Sequence, residues 1–131
     1  MARAKKLSST ARHLITKLNP KSPISEQYRT VRTNLQFSSV DSNLQTLLVT
    51  SVGPSEGKSS VAANLAIVFA QQGKKVLLID ADMRKPTLHY TFRIDNGRGL
   101  SSLLVGGATK EEAIIQSDTE NLDLLTCGPI P

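Results

Sequence analysis

Three consecutive residues, Gly57-Lys58-Ser59, have the types needed to hold a polyphosphate. Glycine lets backbone approach a phosphate, lysine reaches the β- and γ-phosphates, and a hydroxyl completes the shell of Mg²⁺. The surrounding turn reads Val52-Gly53-Pro54-Ser55-Glu56-Gly57-Lys58-Ser59-Ser60, against the pattern Gly-x-x-x-x-Gly-Lys-Ser/Thr. Val52 occupies the first position of that pattern and Gly53 comes one place late, so the strict expression fails by one residue. Gly53 to Ser60 form the candidate nucleotide-binding turn. Asp80 and Asp82 supply the second chemical element. Two carboxylates spaced i, i+2 at a strand terminus can hold a Mg²⁺ shell or accept a proton from an attacking group. A dinucleotide-binding turn is the competing reading, with Asp80 on a ribose. Its Gly-x-Gly-x-x-Gly fingerprint is absent, however, and a lysine inside the turn is not part of it. A nucleoside triphosphate is the preferred ligand.

The elements around these residues are the ones such chemistry needs. Thr46-Leu-Leu-Val-Thr50 and Lys75-Val-Leu-Leu-Ile79 are bare apolar runs, the pattern of strands buried on both faces. Between them Val61, Ala62, Leu65, Ala66 and Phe69 make an apolar helix face, and Gly73 follows its end. Strand, glycine turn, helix and strand predict a βαβ unit whose two strands are parallel neighbours. Upstream, Ile24 to Phe37 suits a helix capped by Ser25, with Tyr28, Val31 and Leu35 along one face. Downstream, Leu100 to Val105 reads as a short helix. Thr109-Lys-Glu-Glu112 reads as a capping box opening a helix through Ile115, and Leu122 to Thr126 as a third strand.

With 131 residues the chain has the length of one domain, and 39% apolar residues suffice for a core. The longest apolar run, Leu65 to Ala70, is six residues, against the ~20 a bilayer span requires. Cys127 is the single cysteine, so an internal disulfide is impossible, which fits a reducing cytoplasm. Charge is distributed unevenly. Residues 1–33 carry a net +7 and residues 34–131 a net −2. Residues 1–23, with Pro20 and Pro23, read as a basic arm and linker, and 24–131 as the domain. Such an arm suits anionic lipid or an acidic partner. Without interleaved aromatics it does not read as a nucleic-acid surface.

Taken together, Val52 to Ser59 and Val76-Leu-Leu-Ile-Asp-Ala-Asp-Met-Arg-Lys-Pro86 closely resemble the Walker A and Walker A′ motifs of the bacterial tyrosine kinases of capsular and exopolysaccharide synthesis. Glu26-Gln-Tyr-Arg29-Thr-Val-Arg32 is similar to the Glu-x-x-Arg-x-x-Arg element through which those kinases assemble into rings. The resemblance runs from about Pro23 to the last residue. It implies an α/β fold of P-loop NTPase type, a parallel sheet with flanking helices, and transfer of the ATP γ-phosphoryl group to protein tyrosine. It also implies roles: Lys58 on the phosphates, Ser59 on Mg²⁺, Asp80 as the base or orienting group toward a tyrosine hydroxyl and a metal-shell group, Asp82 as a metal-shell acid. Glu26, Arg29 and Arg32 become oligomerisation residues. The implied partners are tyrosine-containing protein substrates and a membrane-spanning activator holding the protein at the inner face of the cell membrane. No nucleic acid is expected.

The family pattern continues beyond what this sequence contains. No hydrophobic run ending in Asp follows Asp82, so the Walker B strand is missing, and the only tyrosines are Tyr28 and Tyr90. The sequence therefore reads as the N-terminal part of a kinase, truncated before that strand, with little autonomous activity expected. Two alternatives stand beside the kinase. One is a ParA- or MinD-like ATPase, although the extra lysine that those proteins carry early in the loop is absent from Val52 to Ser55. The other is a non-catalytic fragment acting on ring assembly.

Overall fold

The computed structural model describes residues 14–38, 45–49 and 55–130, with residues 55–59 described by their backbone alone. Its elements are α1 (Ile15–Leu18), α2 (Pro23–Ser38), α3 (Ser55–Gln71), β1 (Val76–Ile79), α4 (Leu88–Phe92), α5 (Leu100–Leu104), α6 (Lys110–Ala113), β2 (Ile115–Gln116) and β3 (Leu122–Leu125). The sheet order is β1-β3-β2. β1 and β3 are parallel, with Val76 opposite Leu122 and Leu78 opposite Leu124, and β2 joins antiparallel, Ile115 opposite Leu124. The result is a mixed α/β fold in which β3 is central and buries Leu122, Leu124 and Leu125.

α3 owes its place to a stretch, Val61 to Ala70, in which Asn64 is the one polar residue. Ala63, Ile67 and Ala70 pack into a core with Leu14, Leu122 and Leu124. Ala62, Leu65 and Phe69 point another way and line an open cleft. The helix stops at Gly73, whose φ of 96° is left-handed and whose N–H reaches the carbonyl of Ala70 at 3.0 Å, a conformation glycine adopts without a Cβ penalty. No helix among the described residues is long and apolar enough to cross a membrane.

Five details depart from the sequence expectation. The strand at 46–50 is not formed: residues 45–49 carry no strand pairing, and Thr50 lies outside the described residues. Among the described residues β1 therefore pairs with β3 alone, because a strand exists only where its N–H and C=O groups find a partner ladder, and 45–49 line the cleft beside β1 without pairing to it. The helix opened by the capping box ends at Ala113, since Ile115 and Gln116 are drawn into pairing with β3. The cap of α2 is Ser22, whose Oγ accepts the N–H of Ser25 at 3.1 Å, with Pro23 in the first turn where its missing N–H costs nothing. Ser25 is instead buried inside the helix and donates to the carbonyls of Ile15 and Asn19. Finally, the expected linker 1–23 is packed from Leu14 onward. Leu14 and Thr16 are buried, and Lys17 pairs with Asp118.

Candidate nucleotide-binding site

The site is built on the opening of α3 and the carboxyl end of β1. Ser55, Glu56, Gly57, Lys58 and Ser59 form the first turns of α3, while Gly53 and Pro54 lie outside the described residues. The N–H groups of a helix's first turn lack intrahelical partners, and with the helix dipole they favour an anion.

Asp80 follows β1 directly and its N–H completes the ladder on the carbonyl of Leu125 at 3.0 Å. Its carboxylate then organises the next eight residues. Oδ1 accepts the N–H of Asp82 at 3.1 Å, and Oδ2 accepts those of Thr87 (3.0 Å) and Leu88 (3.1 Å). Asp80 thus caps α4 from a distance, a task that the Thr87 side chain does not perform. Asp82 repeats the device on a smaller scale, its Oδ1 accepting the N–H groups of Arg84 and Lys85, each at 3.1 Å. The loop between β1 and α4 is closed by its own two acids. Beneath it the buried Cys127 thiol donates to Met83 Sδ at 3.2 Å. Burial above all, then the nearby charges of Asp80 and Asp82, push that thiol's pKa up, so it is a poor nucleophile.

Asp80 and Asp82 border the cleft of about 960 Å³ that Ala62, Leu65 and Phe69 of α3 line from one side and Leu47 and Leu48 from another. The acids therefore share this space with α3 from Ala62 onward, and Ala62 is about one helical turn beyond Ser59. Both acids are hard oxygen donors of the kind Mg²⁺ takes. Among the described residues no group of three His, Cys, Asp or Glu stands together as a metal site. A cation here would draw further oxygens from the α3 turn, water or the phosphates themselves, which is how Mg²⁺ is ordinarily held.

The three residues of the expected assembly element separate into two kinds. Arg29 pairs with Glu26 through Nη2 at 2.8 Å and Nε at 3.1 Å on the exposed side of α2. Arg32 turns inward and donates Nη1 to the carbonyl of Val68 at 2.7 Å. Of the apolar stripe expected along α2, Tyr28 and Leu35 are half-buried and Val31 is exposed, while Arg32 and Gln36 bond to α3. Sequence reasoning passed over Tyr28 and Asn64 as polar contacts. The spacing of four from Tyr28 to Arg32 to Gln36 was the available signal, masked by the apolar residues interleaved with it.

Residues 53–128 match the AAA domain family. The chain is 55% identical over 124 residues to a tyrosine-protein kinase of Bacillus subtilis (strain 168), YwqD, covering 95% of this chain and 52% of that one. Among solved structures it is similar to the chimerical protein CapA2B2, at 51% identity and a TM-score of 0.86, over 91% of this chain and 52% of the other. It is also similar to the kinase domain of the Escherichia coli tyrosine kinase ETK, at 34% identity and a TM-score of 0.84, over 90% and 46%. The chain spans about half the length of YwqD and of the putative tyrosine-protein kinase CapB of Staphylococcus aureus, and 16% of the length of the Escherichia coli (strain K12) tyrosine-protein kinase etk.

Proposed function

Since this chain belongs to the AAA domain family, in its bacterial tyrosine-kinase branch, we propose that it is the ATP-binding portion of an autokinase-type protein-tyrosine kinase serving capsular or exopolysaccharide synthesis. The observation that carries this reading is the cleft bordered at once by Asp80, Asp82 and the helix, α3, that the Gly57-Lys58-Ser59 turn opens. Phosphoryl transfer asks for positioned phosphates and neutralised charge more than for covalent chemistry, and these elements answer that need.

In the reaction, a substrate tyrosine oxygen bonds to the γ-phosphorus, the bond to the β–γ bridging oxygen breaks, and ADP leaves. Lys58 and the backbone N–H groups of Gly53 and residues 55–60 bind the phosphates. Asp80 takes the tyrosine proton on a carboxylate whose position is set by three backbone N–H donors. Asp82, Asp80 and Ser59 would hold Mg²⁺, which when bound neutralises charge on the β- and γ-phosphates. The exposed Glu26–Arg29 pair would meet a neighbouring copy in a ring, with Arg32 fixing α2 from behind. A membrane-spanning activator would hold the assembly at the inner face of the membrane.

Calorimetric titration of the chain with Mg·ATP and Mg·ADP tests the reading. Uptake by the unsubstituted chain, weakened at least about tenfold by Lys58→Met with circular dichroism unchanged, is the expected result. Folded protein that takes up neither nucleotide would end it.

A further inference from the structure

We propose that Tyr28 is a positioning residue for the nucleotide-binding turn, clamping the start of α3 to α2 from a place opposite Ser60 and Asn64. The proposal rests on the reading of residues 53–60 as that turn.

α2 and α3 are joined by a polar ladder with a repeat of four on both sides. Arg32 meets the carbonyl of Val68, Gln36 Nε2 meets Gln72 Oε1 at 2.7 Å, and the same step of four sets the half-buried Tyr28 against the turn that holds Ser60 and Asn64. A spacing of four keeps successive rungs on one helix face, and the rising numbers on both sides mean that the helices run in the same direction. Only the Tyr28 rung lies near the opening of α3, one residue beyond Ser59.

That rung is anchored more heavily than the other two. Asn64 is fully buried, and its Oδ1 accepts both the N–H (3.1 Å) and the hydroxyl (2.7 Å) of Thr16 in α1. Its Nδ2 donates to the carbonyl of Ser60 at 2.8 Å. Asn64 is therefore fixed by α1 while it holds Ser60, and Tyr28 closes the group from α2. A polar cluster satisfied from three elements rigidifies what it touches, and what it touches here is the turn of α3 next to Lys58 and Ser59. A phenol suits the task because its ring spans the gap between helices with only two rotatable bonds. Partial burial pushes the hydroxyl's pKa up, so it remains a neutral hydrogen-bonding group throughout the physiological range.

Tyr28→Phe removes one oxygen and leaves the ring, and Gln36→Ala removes the rung two turns away. For the unsubstituted chain and both variants, Mg·ADP affinity is measured by calorimetry and amide hydrogen exchange is followed over residues 55–62. Tyr28→Phe is expected to weaken Mg·ADP about tenfold, the scale of one buried hydrogen bond, and to quicken exchange across 55–62. Gln36→Ala is expected to leave affinity within about twofold and to loosen only the end of α3. Mg·ADP bound equally well by the unsubstituted chain and Tyr28→Phe, with exchange over 55–62 unchanged, overturns the clamp alone. So does an equal response to Gln36→Ala, which would mean general helix docking. No Mg·ADP binding by the unsubstituted chain overturns the nucleotide reading and this proposal with it.

Discussion

On one flank, β1 pairs in parallel with β3, and the residues it meets there, Leu122 and Leu124, are 1% and 0% exposed. On the other side, Leu77 and Ile79, the alternate residues of β1 that point to the opposite face of the sheet, remain 43% and 47% exposed, and Leu48 across the cleft is 82% exposed. The apolar content is similar on both sides: Leu-Asp-Leu-Leu in β3, Thr-Leu-Leu-Val at 46–49. What differs is pairing. Burial of leucine contributes roughly 1.5–3 kcal/mol only when neighbours close over it, and backbone ladders decide where they close. Stability is therefore concentrated on the β3 side, while Asp80 and Asp82 stand where β1 ends beside the open cleft.

The contrast is tested most strongly at the two leucines. Leu124→Ala should cost about 2–5 kcal/mol in urea unfolding, as for a fully enclosed core leucine. Leu48→Ala should stay within about 0.5 kcal/mol. Equal costs would mean that the open flank is closed in solution.

A smaller effect sharpens the picture of the closed side at its far rim. There the backbones of Gly99 and Gly128 nearly touch, tied by Leu100 N–H to the carbonyl of Thr126 (2.8 Å) and by Asn96, whose Oδ1 accepts the Gly128 N–H at 2.8 Å. A Cβ on Gly99 would lie 2.4 Å from the Thr126 carbonyl oxygen and 2.5 Å from Gly128 N. Gly99→Ala should cost about 1–3 kcal/mol by the same measurement. No change would show that this crossing can open.

The smallest effects are titrations. The pKa of Glu112 is lowered, first by the backbone N–H of Thr109, then by the Thr109 hydroxyl and the charge of Arg98. That of Asp118 is lowered chiefly by its hydrogen bond from Lys17. A folded pKa below the unfolded one gives stability that is present above the ordinary carboxylate values of 4.5 and 3.8 and lost as pH falls through the folded values. Both groups are exposed, so the acid slope is shallow, and Lys17→Met should flatten its Asp118 part. Tyr28 works in the opposite direction. Its folded pKa is raised above 10.0, so its contribution holds below that pH and is lost as pH climbs through the folded value. Tyr28→Phe should remove that alkaline slope in denaturation midpoints measured from pH 8 to 11.

Features governed by near neighbours in the chain were legible beforehand. The reciprocal bonds of Thr109 and Glu112 span three residues, and both are present as read. β1 and β3 were legible from apolar runs bounded by Gly, Asn and Asp. The Asp80–Asp82 pair was legible as chemistry, but its loop-closing role was not, because that role depends on Thr87 and Leu88 returning to a carboxylate seven and eight residues behind them. The same holds for Ser22 taking the cap from Ser25. Ser25 was free to bury itself only because α1 folds back to offer the carbonyls of Ile15 and Asn19.

The amino-acid order alone determined the residue types of the turn at 52–60, the acids that follow β1, and which segments are apolar enough to leave water. Those are properties of composition and short spacing. Tertiary structure decided which apolar run became a strand, which arginine of the α2 element turned inward, and which tyrosine came to rest beside Ser60. Each of these depends on a partner tens of residues away, and a hydrogen bond or a buried contact has no existence until folding brings its second half into reach.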